Sequence, residues 1–207
     1  KNLNIIGGSI DKIDNIYFTG MLSLHHVPYA ELKNIKLGKN FYGDDTLRIV
    51  SSKIKINNIA VNSCNGDCID FDYVEGDISN IKIRDAGNDG LDFMTSNIEV
   101  DNYTINKCGD KGMSLGENSR ITGSSIKIND CYIGIASKDR SIGFFDDVFI
   151  TNAIIGLSSY VKNWRYGVPG IIEIKKKKFV NNQKNEKLEF INNLNLKQED
   201  YFKKLYW

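Results

Sequence analysis

Short runs of alternating apolar and polar residues recur along the chain. Asn34-Ile35-Lys36-Leu37, Asn58-Ile59-Ala60-Val61, Asn80-Ile81-Lys82-Ile83 and Asn102-Tyr103-Thr104-Ile105 share one form, an asparagine followed by apolar-x-apolar. Asn15-Ile16-Tyr17-Phe18 precedes them, Ser125-Ile126-Lys127-Ile128 and Asp147-Val148-Phe149-Ile150 follow, and Asn193-Leu194-Asn195-Leu196 is a weaker last copy. Apart from that last copy, successive starts lie 19, 24, 22, 22, 23 and 22 residues apart. Alternation with period two predicts strands with one face buried. A second set begins at Leu47, Ile69, Leu91, Met113, Ile135 and Leu157, each 22 residues after the last. A third strand is expected around Ile54/Ile56, Ile78, Ile98/Val100, Ile121 and Ile142/Phe144.

Three short strands in each 22-residue unit predict an all-β chain, a parallel β-helix (solenoid). One coil cannot bury its apolar side alone, so coils stack around a shared core. Leu91 and Phe93 should point inward, Asp92 and Met94 outward. Asn15 to Asn102 should form an amide ladder bonded from rung to rung. Leu3-Asn4-Ile5-Ile6 reads as mid-coil, and residues 197–207 as a C-terminal cap over an open edge.

Composition changes this picture little. The 207 residues fit one elongated domain, 1–207, and 27 basic residues against 26 acidic give no sign of a nucleic-acid partner. No transmembrane segment is expected, because no apolar run approaches the ~20 residues that span a bilayer. The start at Lys1 reads as a processed product or a fragment, with other domains of a longer chain as partners. Cys64, Cys108 and Cys131 share one repeat position with Ala86 and Ala153. They are expected to be small buried side chains, a Cys108–Cys131 bridge being disfavoured by parallel side chains.

The lines GDDTLRI (43–49), GDCIDFD (66–72), GNDGLDF (87–93), GDKGMSLGEN (109–118) and IGIASKD (133–139) resemble repeats of the pectate-lyase-like superfamily of right-handed parallel β-helices. The resemblance runs over residues 3–196 and extends to β-helical regions beside spore-coat-kinase-like domains. It implies a carbohydrate-active protein outside the cytoplasm: extracellular, periplasmic or on the cell surface. Gly43-Asp44-Asp45 and Gly66-Asp67-Cys68-Ile69 resemble polygalacturonase-like hydrolases. The Gly-His-Gly and Arg-Ile-Lys of those enzymes are absent, as is the epimerase Asp-Pro-His.

Stacking turns repeat positions into columns ~4.8 Å apart. One outward column of the second strand reads Arg48, Asp70, Asp92, Ser114, Ala136, Ser158; the next reads Val50, Asp72, Met94, Gly116, Lys138, Tyr160. The turn before it supplies Asp45, Asp67, Asp89 and Lys111. Neighbouring carboxylates repel, so a proton, a cation or a flanking base must offset them. Asp70, Asp72 and Asp92 are therefore candidate ligands for Ca²⁺, which takes several oxygens. Asp70 and Asp92 are also candidates for acid–base work on a glycosidic bond, and solvated structural acids are the third reading. By resemblance to lyases, Lys111 and Arg48 are candidate bases, with His25 a candidate acid. Lys138, Tyr160, Trp164 and Arg165 are candidate substrate-binding residues. Two functions follow: a lyase-like enzyme on an acidic polysaccharide using Ca²⁺-assisted β-elimination, or a non-enzymatic glycan-binding or spacer module of a surface protein.

Overall fold

The computed structural model describes residues 2–8 and 11–189. They form a parallel β-solenoid. Six turns keep the 22-residue spacing, pairing Leu47 with Ile69, Ile69 with Leu91, Leu91 with Met113, Met113 with Ile135 and Ile135 with Leu157. Among the described residues the only helix is a single 3-10 turn, Trp164–Tyr166. The expected cap at 197–207 and the copy at Asn193 lie outside the described residues.

The core is a set of apolar columns. Leu47, Ile69, Leu91, Met113 and Ile135 are fully buried, and Phe71 stacks on Phe93 with ring centroids 5.2 Å apart. Their outward neighbours Asp92 and Met94 are half-buried, as the alternation requires. The residues before this strand, Gly90, Gly112, Gly134 and Gly156, form a column of close approach. A Cβ on Gly134 would lie 2.5 Å from the Gly156 carbonyl oxygen of the next coil.

Each coil turns at corners whose residues adopt the left-handed backbone. Asn34, Asn58, Asn80, Asn102 and Ser125 have φ between 52° and 61°. Asparagine tolerates this region better than other residues with a side chain. Two of the expected amide contacts form, from Asn58 Nδ2 to Asn34 Oδ1 at 2.7 Å and from Asn102 Nδ2 to Asn80 Oδ1 at 2.6 Å. They lie at the surface, however, so the asparagines serve the corner rather than a buried ladder.

Both ends depart from the sequence expectation. Asn15 is not on a rung. It occupies the turn of an antiparallel hairpin, Asp11–Ile13 with Ile16–Phe18, where Asp14 and Asn15 both have positive φ. The true rung is Leu3–Ile6, which pairs in parallel with Ile35 to Gly38. The hairpin is an insertion between that rung and the next. After Tyr160 a further coil follows: Ile171–Val180 pairs with the strand Ile142–Thr151, and Lys184–Leu188 with Ile155–Tyr160. Lys177 and Glu186 hold inward register positions there, opposite Val148 and Leu157, and they form an ion pair.

The cysteines also differ from expectation. Cys64–Cys68 and Cys108–Cys131 are disulfides, with Cα separations of 5.3 and 4.7 Å. Cys108 and Cys131 are register partners on adjacent rungs, and that Cα spacing brings two parallel side chains within bonding reach. Cys64 ends one strand and Cys68 immediately precedes the next, so this bridge closes a corner.

Candidate site on the second-strand face

The second strand of each coil carries the predicted outward columns in the predicted register. Arg48 lies beside Asp70, Asp70 beside Asp92, and Asp92 beside Ser114. Asp72 lies between Val50 and Met94.

Arg48 is the centre of the first cluster. Its guanidinium contacts Asp45 at 3.1 Å, Asp70 at 2.9 Å and Asp72 at 2.5 Å. It also donates to the Thr19 hydroxyl, which in turn donates to Asp45. One cation thus serves three buried carboxylates. Burial, with Asp72 and Asp45 close by, pushes the Asp70 carboxyl up to about 9 against the pull of Arg48. Burial also raises Asp45 and Asp72. The cluster therefore keeps a proton at neutral pH, and that proton offsets the repulsion a single guanidinium cannot cover.

Lys111 is the centre of the second cluster. Its ammonium sits 3.4 Å from Asp89 and in contact with Asp110, and its backbone N–H donates to Asp89 at 2.9 Å. Burial disfavours charge on this amine, but Asp89 and Asp110 outweigh it and hold the ammonium above its ordinary range. A lysine base needs the opposite shift. Asp67 accepts from Asn88 and from the Asp89 N–H. Burial, then Asp89 and Asp92, push the Asp67 carboxyl up to about 7.

Asp92 is the open member of the acidic column. It is half-buried, and it accepts a 3.1 Å bond from the N–H of Phe93. Lys138 is 3% exposed and donates to Ser114 at 2.8 Å, so its charge faces the same column from the coils beyond. Calcium binding by Asp70, Asp72 and Asp92 would have to displace Arg48 from the first two. Among the described residues no group of three or more His, Cys, Asp or Glu side chains is arranged to hold a metal ion. As arranged, the donor set does not fit a calcium site.

His25 lies opposite Val50, with Ser23 opposite Arg48. Its ring packs against Phe18 at 4.9 Å, and its Nε2 is buried without a partner. Burial, then Arg48 and His26, lower its basicity, which favours a neutral ring over a proton donor. At the other end, Tyr160 is half-buried and Trp164 is 80% exposed. The Arg165 guanidinium sits 5.8 Å from the Trp164 ring. Sequence reasoning missed Asp139, which anchors this loop. Its carboxylate accepts the backbone N–H groups of Lys162 and Asn163 at 2.8 and 2.9 Å, and its second oxygen is buried without a partner. Thr19 and Asp110 were also missed. Asp110 could have been read from its place beside Lys111, whereas Thr19 comes from a rung whose register the hairpin hides.

Comparison with family models, curated proteins and solved structures finds no match. The face must be judged on its own chemistry. Asp45, Asp67, Asp70, Asp72, Asp89, Asp92 and Asp110 outnumber Arg48, Lys111 and Lys138 there. It is an acidic strip with aromatic groups at one end.

Proposed function

We propose that the protein is a non-catalytic, glycan-binding β-solenoid module of an extracellular, periplasmic or cell-surface protein. One observation carries this reading: Arg48 and Lys111, the cations that would act on a substrate, are each occupied by carboxylates of their own face. β-Elimination needs a free base and a cation at the uronate carboxylate. Here the base is held protonated, and Asp70 and Asp72, two of the three acids that would carry calcium, are held by arginine. An acidic strip also repels an acidic glycan. It suits neutral or amino-bearing sugars, whose hydroxyl and ammonium groups donate to carboxylates while their C–H faces lie on Trp164 and Tyr160. The two disulfides support a compartment outside the reducing cytosol.

A hydrolytic reading has one observation in its favour. Asp70 keeps its proton, Asp92 lies open on the adjacent rung, and two neighbouring carboxyl groups are the pairing with which glycosidic bonds are cleaved. One experiment separates the readings. Purified protein is titrated with chito-, cello- and xylo-oligosaccharides, pectin, alginate and a glycosaminoglycan, with calcium or with a chelator. Binding is followed by calorimetry, turnover by reducing ends and by absorbance of unsaturated uronates. The expected result is binding of an uncharged or amino-bearing glycan, weakened at least fivefold by Trp164→Ala, with no product. Reducing ends that vanish in Asp92→Asn would establish hydrolysis instead, and unsaturated products would restore the lyase.

A further inference from the structure

The first strand of each coil faces away from the acidic strip, and its outward columns carry the opposite charge. One column runs Asn4, Lys36, Ala60, Lys82, Thr104, Lys127, Phe149, Lys178, each the register partner of the next. Lysine occupies every second rung. The neighbouring column runs Gly38, Asn62, Arg84, Asn106, Asn129, Thr151. Neither column contains a carboxylate.

The inward neighbours Ile35, Leu37, Ile81, Ile83, Ile126 and Ile128 are all buried. Period two therefore directs the four lysines and Arg84 outward, and all five are exposed. None of the five has an ion-pair partner among the described residues, whereas Lys107 at the rim is neutralised by Asp85 at 2.9 Å. Cations left unpaired along one line of a nearly neutral protein raise the local potential along that line.

The spacing narrows the partner. Rungs stack ~4.8 Å apart, so lysines on alternate rungs recur every ~10 Å along the solenoid axis. A nucleic-acid strand places its phosphates far more densely and is gripped by stacking its bases on aromatic rings. Among the described residues these two columns hold one ring, Phe149, and Lys178 already lies over it at 5.3 Å. A linear glycan in which acidic and uncharged sugars alternate carries its charge at the wider spacing, and its hydroxyls match the amides of Asn62 and Asn106.

We infer that the first-strand face binds a linear acidic polysaccharide lying along the solenoid axis, in contact with Lys36, Lys82, Lys127 and Lys178. This goes beyond the reading above, because it uses a different face and a ligand of opposite charge. The test is calorimetric titration with hyaluronan oligosaccharides, which carry one carboxylate per disaccharide, at 20 and ~150 mM salt. Oligothymidylate of equal length serves as the comparison. Lys82→Gln/Lys127→Gln should weaken hyaluronan binding at least tenfold at low salt with thermal unfolding unchanged. Trp164→Ala should leave that binding intact, so loss in one variant and not the other shows which face has failed. Wild-type protein that binds no hyaluronan at low salt, equal affinity in the double variant, or tighter binding of oligothymidylate than of hyaluronan would each overturn the inference.

Discussion

Asp70→Asn should make the protein less sensitive to pH, and its effect should grow as the solution becomes more alkaline. A carboxyl raised in the folded state holds its proton more tightly there than in the unfolded chain. Its favourable contribution is complete below the unfolded value, ~4, and is lost as pH rises through the folded value. For Asp70 that folded value is about 9, so the window runs from about pH 4 to about pH 9. Within it each pH unit removes roughly 1 kcal/mol at full effect. Three units, from pH 5 to pH 8, remove roughly 3 kcal/mol, and relaxation around Arg48 brings this to about 1–2 kcal/mol. Asparagine imitates the protonated acid: it keeps an oxygen for Arg48 and never ionises. At pH 5 the variant should unfold near the wild-type temperature. At pH 8 it should unfold about 3–6 °C above it, since 1 kcal/mol shifts the midpoint of a chain this size by ~2–4 °C. Scanning calorimetry of both proteins at four pH values gives the comparison. A constant difference, or a variant less stable at pH 8, would refute the claim that Asp70 keeps its proton.

Asn58→Ala should cost about 1 kcal/mol, the strain of a left-handed backbone with a Cβ, while Asn58→Gly should cost only a few tenths. Urea unfolding of both variants checks this, and equal losses would mean that the surface amide bonds matter more than the corner. Cys108→Ser/Cys131→Ser should destabilise by about 3 kcal/mol, as expected for opening a loop of this size. Thermal unfolding with and without reductant measures it, and an unchanged midpoint would mean that the thiols are not bridged.

The middle of the solenoid was legible because its coils repeat without insertion. Leu91 and Phe93 could be placed inward, and Asp70 beside Asp92, from period two and a 22-residue offset alone. The ends were not legible, for physical reasons. The hairpin at 11–18 separates the first rung from the second, and its Asn15 imitates the corner asparagine because a tight hairpin turn demands the same backbone region. In the last coil Lys177 and Glu186 replace apolar residues and erase the alternation. Most corners were equally silent: Ser63, Tyr73, Asp85, Thr95 and Lys107 adopt positive φ without belonging to one residue type. In the site, columns could be read but pairings could not. Arg48 reaches three carboxylates because a long side chain spans two rungs, and no spacing rule says which of its neighbours it will choose. The Cys64–Cys68 bridge depends in the same way on how sharply one corner folds.

Under tension, the Cys108–Cys131 bridge changes how this molecule would yield. Backbone hydrogen bonds join each coil to its neighbours, so tension along the axis peels coils from an end one at a time, and each 22-residue coil released lengthens the tether by up to ~75 Å. A covalent link between neighbouring rungs withholds the 22 residues from Gly109 to Asp130 from that extension. The regular middle coils should then stretch in near-equal steps with one step missing, and a reducing environment should restore the missing step.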